Sequence, residues 1–383
     1  MSHGHRLAGK KVLFIFGSLE LGGAERQGFL LSQYLRESQD VIVEVYGFGG
    51  RGKLSDMCEK NGIAWQSIAL PIAGGSVKSV VHYSRSAASL FSALRRSQAD
   101  ILLPYTLHPN VWCGIFWRMT EGVTCVWNQR DEGLGYSGSC VQRLALRNTP
   151  LFAANSEGGA RFLASQGVNK NKIHLIRNSV FLGKPKRTNR QWRKALGSDD
   201  KTFLALMIAN ISSMKDHDTL LRAWSLVCES DSPGNRSLLL LAGRFDDRTN
   251  HIKSLIREFG LEKRVLLLGP VDDIYGLLSC VDIVVHSSIS EGTPNAILEA
   301  MAAGRIVVAT DIPGIRSIVG IDNLQFLTPV HDSNLMAKKI IYVRSNMDRL
   351  KEIEIRNQKR VLKQYGYEEM GKKYTDVISS ALE

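Results

Sequence analysis

The stretch Ser290–Thr310, SEGTPNAILEAMAAGRIVVAT, holds one cycle of the alternation that decides the fold. A Gly/Thr/Pro turn leads into an apolar run of helical length, a glycine closes it and a β-branched run follows. Thr293 or Ser290 suits the cap, Pro294 the first helical turn and Gly304 the exit. That spacing predicts a helix over about Pro294–Ala303. RIVVAT then reads as a buried strand. The same alternation extends in both directions. KVLFIF, VIVEVYGF, ADILLPY, GVTCVWN, LFAAN and KIHLIRN are strand-like in the first half, and TFLALMIAN, RSLLLLAGR, RVLLLGP, DIVVHSS and RIVVAT in the second. DTLLRAWSLVCES, RTNHIKSLIREFG, DDIYGLLSC and PNAILEAMAAG have helical length and lie between the second-half strands. This is the pattern of parallel sheets with helical crossovers.

A chain of 383 residues is long for one domain and suits two. The reading is therefore α/β, with two doubly wound, Rossmann-like domains at 1–182 and 202–365. A basic connector is expected at 183–201. A last helix at 366–383 is expected to pack across the domain junction. No apolar run approaches the roughly 18 residues of a membrane span, so a cytoplasmic protein is expected. The six cysteines show no metal-ligand or disulfide spacing and read as reduced, mostly buried thiols.

The net charge of +12 is unevenly distributed. Residues 1–182 carry 20 basic and 12 acidic side chains, residues 183–201 carry 7 and 2, and residues 202–383 carry 22 and 23. The basicity belongs to the first half and the connector. It suits an anionic partner such as a lipid surface or a phosphorylated acceptor, although a merely solvated surface accounts for it too. Arg95 and Arg96, which end the amphipathic run SAASLFSALRR, are the sequence's candidates for a lipid contact.

In doubly wound sheets ligands gather beyond the carboxyl ends of strands, so three loops matter most. GSLELGGAERQ, Gly17–Gln27, is neither G-x-G-x-x-G nor a complete phosphate loop. It still offers Gly22 and Gly23 at a helix entrance, where backbone N–H groups can approach a phosphate or sugar. NISSMKDHDTLL places Asn210, Lys215 and His217 ahead of a helix, where a lysine opposes the helix dipole unless an anion binds there. In the opening stretch Asn295 and Glu299 fall one turn apart on one face, while Leu298 and Met301 point into the core. At 1.5 Å per residue, Glu299 lies roughly 7 to 9 Å along the helix axis from its start, with Glu291 beyond that start. Such acids cannot share a proton or a metal. They can bracket an extended ligand whose phosphates sit on the helix N-terminus and whose sugar hydroxyls meet the carboxylates.

With its flanking residues this segment resembles the E-x7-E signature of the retaining GT-B glycosyltransferases, family 4 (glycosyl transferases group 1). G-G-A-E near the start, I-R-N-S, A-N-I-S-S-M-K-D-H-D-T-L-L-R-A, L-A-G-R and V-L-L-L-G-P extend the likeness along most of the chain. The resemblance implies a hexosyl- or N-acetylhexosaminyltransferase with an acceptor-binding first domain and a nucleotide-sugar-binding second domain. Glu299 would hold ribose hydroxyls and Glu291 would face the transferred sugar. Gly292, Thr293, Pro294 and Asn295 would orient sugar and diphosphate, and Lys215 would neutralise the leaving group. Gly22 and Gly23 would join the donor contacts. Asn210 stands where many relatives have arginine, and Arg244 is the substitute considered. The segment VWNQRDEG lacks the histidine many relatives carry near the sugar, and His108 in YTLHPN is the replacement considered. No metal and no cofactor beyond the donor, for example a UDP-sugar, are expected. The departing phosphate is thought to assist acceptor deprotonation in the family. Expected partners are a nucleotide sugar, a saccharide acceptor for which a polyprenyl-linked one suits the basic half, and an anionic membrane surface, but no nucleic acid. A non-catalytic nucleotide-sugar-binding subunit and a nucleotide-sugar epimerase are the rival readings.

Overall fold

A computed structural model describes residues 6–68, 79–120, 124–180 and 183–382. The chain divides into two compact units, residues 1–179 with 367–383, and residues 180–366. The first holds strands β1 (Lys11–Phe16), β2 (Ile42–Phe48), β3 (Ala64–Ile68), β4 (Ile101–Pro104), β5 (Thr124–Gln129), β6 (Leu151–Ala154) and β7 (Ile173–Leu175). They form one sheet in the order β3-β2-β1-β4-β5-β6-β7, and every registered pair is parallel. Helices α1 (Gly23–Gln39), α2 (Lys53–Lys60), α3 (Ser79–Ser97), α4 (Leu107–Phe116), α5 (Cys140–Asn148) and α6 (Glu157–Ser165) connect them. The apolar runs that read as strands fill the core: Val12 to Phe16 are fully buried. Continuous rather than alternating burial is what a sheet covered on both faces demands.

The second unit holds α7 (Asn189–Ala195), then β8 (Thr202–Ile208), α8 (His217–Glu229), β9 (Arg236–Ala242), α9 (Thr249–Glu258), β10 (Val265–Gly269), α10 (Ile274–Cys280), β11 (Ile283–His286), α11 (Asn295–Ala302), β12 (Ile306–Thr310), α12 (Pro313–Val319), β13 (Leu327–Thr328), α13 (Ser333–Ser345) and α14 (Met347–Gln364). Its parallel sheet runs β10-β9-β8-β11-β12-β13. In each sheet the strand order reverses beside the first strand, between β1 and β4 and between β8 and β11. Those reversals open the crevices where doubly wound folds bind ligands.

Residues 183–201 do not form a separate connector. They belong to the second unit, and α7 buries Trp192, whose indole N–H donates to Asp273 at 2.8 Å. The backbone N–H groups of Lys186 and Arg187 donate to the same carboxylate at 2.9 Å each. The basic side chains other than Arg193 are exposed while the backbone is fastened, so charge composition alone mislocated the boundary. The last helix is α15 (Tyr367–Leu382) and it belongs to the first unit. Tyr367 meets Tyr34 of α1 edge-on at 5.6 Å, and the Tyr374 hydroxyl donates to Asn128 Oδ1 at 2.6 Å. Of the cysteines, Cys58, Cys113, Cys125 and Cys280 are buried, Cys228 is half-buried and Cys140 is exposed.

Asn128 is fully buried, and its amide also donates to Pro104 O and Val126 O, so Tyr374 supplies the hydrogen bond to its oxygen across the helix–sheet interface. Tyr374→Phe leaves that oxygen without this donor and should destabilise the first unit by about 1 to 3 kcal/mol. The check is urea unfolding followed by a probe in that unit, and an unchanged midpoint would remove the hydrogen bond from the account.

Candidate active site

Within the second unit the loops after β8 and β11 meet at the strand-order reversal. The backbone N–H of Ile289 donates to Met214 O at 3.1 Å, which pins one loop to the other. From the β8 side a 3₁₀ turn, Ser213–Lys215, presents the Lys215 ammonium, and from the β11 side comes Glu291. The two form an ion pair, with side chains 22% and 13% exposed. The same carboxylate oxygen of Glu291 accepts from Ser288 Oγ at 2.8 Å and from His286 Nε2 at 3.0 Å.

Burial of the Glu291 carboxyl pushes its pKa up, but the His286 hydrogen bond and the Lys215 charge outweigh it and hold the group at about 2. His286 is 1% exposed at the last position of β11. Its pKa is lowered by burial against the opposing pull of Glu291. The ring is therefore neutral, and because a carboxylate only accepts, Nε2 carries the proton. Nδ1 is left with no hydrogen-bond partner among the described residues. His217, the first residue of α8, is buried likewise and held at about 4 by burial, then by His286 and Lys215. Neither of its ring nitrogens has a partner among the described residues.

The E-x7-E helix is shorter than the sequence predicts, Asn295–Ala302, with Pro294 as its cap residue. The cap position thus falls on Pro294 rather than on Thr293 or Ser290, and it makes no side-chain cap hydrogen bond. The Ile297 N–H donates back to Pro294 O at 3.2 Å and closes the first turn. Glu299 is 4% exposed, and Leu298 and Met301 are fully buried in the core beneath it. Gly314, at the start of α12, lies against the turn: a Cβ there would come within 2.2 Å of Glu291 O and 2.3 Å of Gly292 O. Only glycine lets α12 support that turn so closely. Ser288 and Thr310 lock the loops after β11 and β12, since Ser288 N donates to Thr310 Oγ1 at 3.0 Å and that hydroxyl donates to Ser288 O at 2.8 Å.

The other expected residues fall into two groups. Asn210 spends its Oδ1 on the backbone N–H of Arg244 at 3.1 Å, tying the ends of β8 and β9 together, while the Arg244 side chain is exposed. Both remain at the carboxyl edge that carries Lys215. In the first unit Gly22 is the cap residue of α1, but the space a Cβ would take there is bounded by the Glu25 carboxylate at 2.5 Å. That helix entrance already has an acid of its own chain beside it. His108 is exposed in the first turn of α4, behind Thr106, whose φ of 71° is unusual for a β-branched residue. Asn128, Gln129 and Arg130 are tied into the fold: Gln129 accepts from Trp127 Nε1 at 2.9 Å, and Arg130 lies 5.4 Å above the Tyr105 ring. His286, Ser288 and Gly314 were not singled out in the sequence, His286 because a histidine ending a strand reads as core; His217 was noted beside Lys215 ahead of the helix, with no role attached.

A cavity of about 580 Å³ in the second unit lies at the opposite, amino ends of the strands. Two of its lining acids are paired: Asp231 binds Arg264 and Arg344 at 2.8 and 2.6 Å, and Asp282 binds Arg193 at 3.1 Å. Among the described residues no group of three His, Cys, Asp or Glu side chains is placed to hold a metal ion, and no helix is long and apolar enough to cross a membrane.

Residues 188–360 match the family model of glycosyl transferases group 1. A diphospho-undecaprenol-directed 4-α-N-acetylgalactosaminyltransferase of Campylobacter jejuni is 26% identical over 188 residues, 49% of this chain and 48% of that protein. The UDP-Gal:α-D-GlcNAc-diphosphoundecaprenol α-1,3-galactosyltransferase of Escherichia coli is 24% identical over 69% of this chain and 71% of its own. The chain spans about half the length of the first curated relatives it matches. Among solved structures, Anabaena Alr3699/HepE in complex with UDP and glucose superposes with a TM-score of 0.83 at 21% identity, over 97% of this chain and 100% of that one. The two chains share the GT-B fold.

The depressed Glu291 carboxyl has a measurable consequence. A carboxyl whose folded-state pKa lies below its ordinary value adds stability above that value and loses it as pH falls. Between pH 4.5 and about 2 the wild-type second unit should lose on the order of 2 to 3 kcal/mol more stability than Glu291→Gln. Parallel acid-unfolding curves for the two proteins would show that this carboxyl titrates normally.

Proposed function

We propose, from the premise that residues 188–360 belong to the group 1 glycosyl transferases, that the whole chain is a retaining glycosyltransferase. It moves a sugar from a nucleoside-diphosphate sugar to a saccharide acceptor, lipid-linked, in the assembly of a cell-surface glycan. The observation that carries this reading is the Lys215–Glu291 pair at the strand-order reversal, beside the N-terminus of α11. A cation and the positive end of a helix dipole face the place where a diphosphate's charge would develop. Glu299 takes the ribose diol and Glu291 a hydroxyl of the transferred sugar. Asn295 and the Gly292–Pro294 backbone orient sugar and phosphates, and Arg244, exposed beyond β9, adds charge. The names of the two undecaprenol-directed relatives support the lipid-linked acceptor.

In this reading the bond from the anomeric carbon to the β-phosphate oxygen breaks, and its electron pair stays on the diphosphate, stabilised by Lys215 and the helix N-terminus. The acceptor hydroxyl attacks the same face, and its proton passes to the departing phosphate oxygen. The roles of cation and dipole are met by groups of this chain, so the reaction is assigned no metal. His108, exposed in the first turn of α4, is the first unit's candidate for a polar contact with substrate. A nucleotide-sugar sensor or an epimerase would release no nucleoside diphosphate. A coupled assay for that product with UDP-, GDP- and ADP-sugars and a lipid-linked saccharide therefore tests the reading, and a lack of release with every donor and acceptor would defeat it.

Lys215→Ala should lower turnover about a hundredfold or more, the cost of losing one preorganised stabilising group. A near-wild-type rate would sink the assignment. Glu299→Gln should weaken binding of the nucleoside diphosphate by roughly 1.5 to 3 kcal/mol, the worth of a charged hydrogen bond. Unchanged affinity by calorimetry in the folded variant would place the ribose elsewhere.

A further inference from the structure

Helix α5 and the loop before it have a composition that the folded unit does not use. The helix, CVQRLALRN, contains no acidic residue. Ala145 and Leu146 are buried, whereas Val141 and Leu144 are each 50% exposed. At 100° per residue the outward arc runs from Arg143 and Arg147 through the exposed Cys140 to Leu144 and Val141. In the preceding loop Leu134 is 72% exposed on a Gly-Leu-Gly tip, where Gly133 and Gly135 have φ of 98° and 74°. At the other end of the helix Trp117 Nε1 donates to Asn148 O at 2.9 Å, and beside it Arg118 lies over the Trp117 ring and Met119 is 57% exposed.

One exposed leucine is ordinary, but large apolar groups gathered on one loop–helix–turn element with three arginines form a patch. The element is also rigid. Ser139 caps α5, and Gln142 Oε1 accepts from Ser137 N at 2.9 Å, so the apolar groups are held outward. Arg143 and Arg147 repel at i,i+4 spacing, a cost relieved by an anionic partner. We infer that this face of the first unit docks on an anionic lipid surface, with Leu134, Val141 and Leu144 entering the interfacial region and Arg143, Arg147 and Arg118 meeting the headgroups. A second copy of the chain would suit the apolar groups but would bring like charges together. The sequence's own candidates, Arg95 and Arg96, lack this combination among the described residues. Leu90, Ala93 and Leu94 of α3 are buried, so the helix faces the core and leaves two solvated arginines at its end.

The placement deepens the proposed reaction and, for its purpose, rests on that reading. Gly135 lies beside Leu107, a Cβ there coming within 3.5 Å of its Cδ2, and Leu107 precedes the exposed His108. A saccharide carried on a lipid would be presented next to the carboxyl end of β4.

The test is co-sedimentation of the full chain, without donor or acceptor, with phosphatidylcholine vesicles and with vesicles that also contain phosphatidylglycerol. Binding should need the anionic lipid and be reversed by salt. Arg143→Glu/Arg147→Glu and Leu134→Ser/Val141→Ser/Leu144→Ser should each weaken it by about tenfold or more, while Arg95→Glu/Arg96→Glu should leave it within about twofold. Thermal unfolding at the wild-type temperature, with unchanged nucleoside-diphosphate binding, shows that the variants are folded. Absent binding at low salt, wild-type binding by both α5 variants, or a dimer that the serine variant dissociates while vesicle binding persists would each overturn the inference. Vesicle binding with no transfer to any acceptor would instead defeat the proposed reaction and leave the surface standing.

Discussion

Parallel strands bring all their carboxyl ends to one edge, and where the strand order reverses the two adjoining connections must diverge to opposite faces. In the second unit this constraint falls between β8 and β11. It lets residues 76 positions apart in sequence, Lys215 and Glu291, meet in one ion pair. The Ile289–Met214 hydrogen bond fixes the two loops, the Ser288–Thr310 exchange ties the next strand to them, and Gly314 lets α12 close against the turn. The site is thus a consequence of the topology. Its side chains come from three loops that the sheet brings to one edge.

An ion pair so little exposed is costly to leave half-made and contributes only modestly when complete, because desolvation offsets attraction. Its worth here lies in what surrounds it. Glu291 has three donors, from Lys215, His286 and Ser288. If an incoming diphosphate draws Lys215 away, the neutral imidazole and the hydroxyl still hold the carboxylate ionised and oriented. In the proposed mechanism the lysine therefore changes partner without leaving a buried charge bare. The unpartnered nitrogens of His286 and His217 sit beside these groups and mark a polar environment that the chain's own atoms do not fully satisfy.

The sequence made the long, continuously apolar strands legible, because a strand covered on both faces must be apolar throughout. It did not disclose β3, AWQSI, which stands at a sheet edge with two of its five residues at most half-exposed, or the two-residue β13. Helices α13 and α14 were hidden by their charge. In α14 only Leu350, Ile353, Asn357 and Val361 are buried along 18 residues. The stretch 183–201 misled for the same reason, since seven basic side chains outweighed one buried tryptophan. In the site, Glu291, Lys215 and Glu299 were visible from residue type and spacing. His286 and Gly314 were not, because one matters through its contact with a carboxylate and the other through the side chain it lacks.

Charge has the same limitation at the surface. A count along the chain assigns basicity to the first half, but it cannot distinguish an arginine ending a core-packed helix from one beside exposed leucines. Attachment to a lipid surface needs both attraction and apolar area, and the two must share a face. On α3 they are separated, because the described apolar residues turn inward. On α5 the helix has only Ala145 and Leu146 to bury, so Val141 and Leu144 remain outside with Arg143 and Arg147. The difference lies in which way each helix is rotated about its axis, a property that packing decides and composition does not contain.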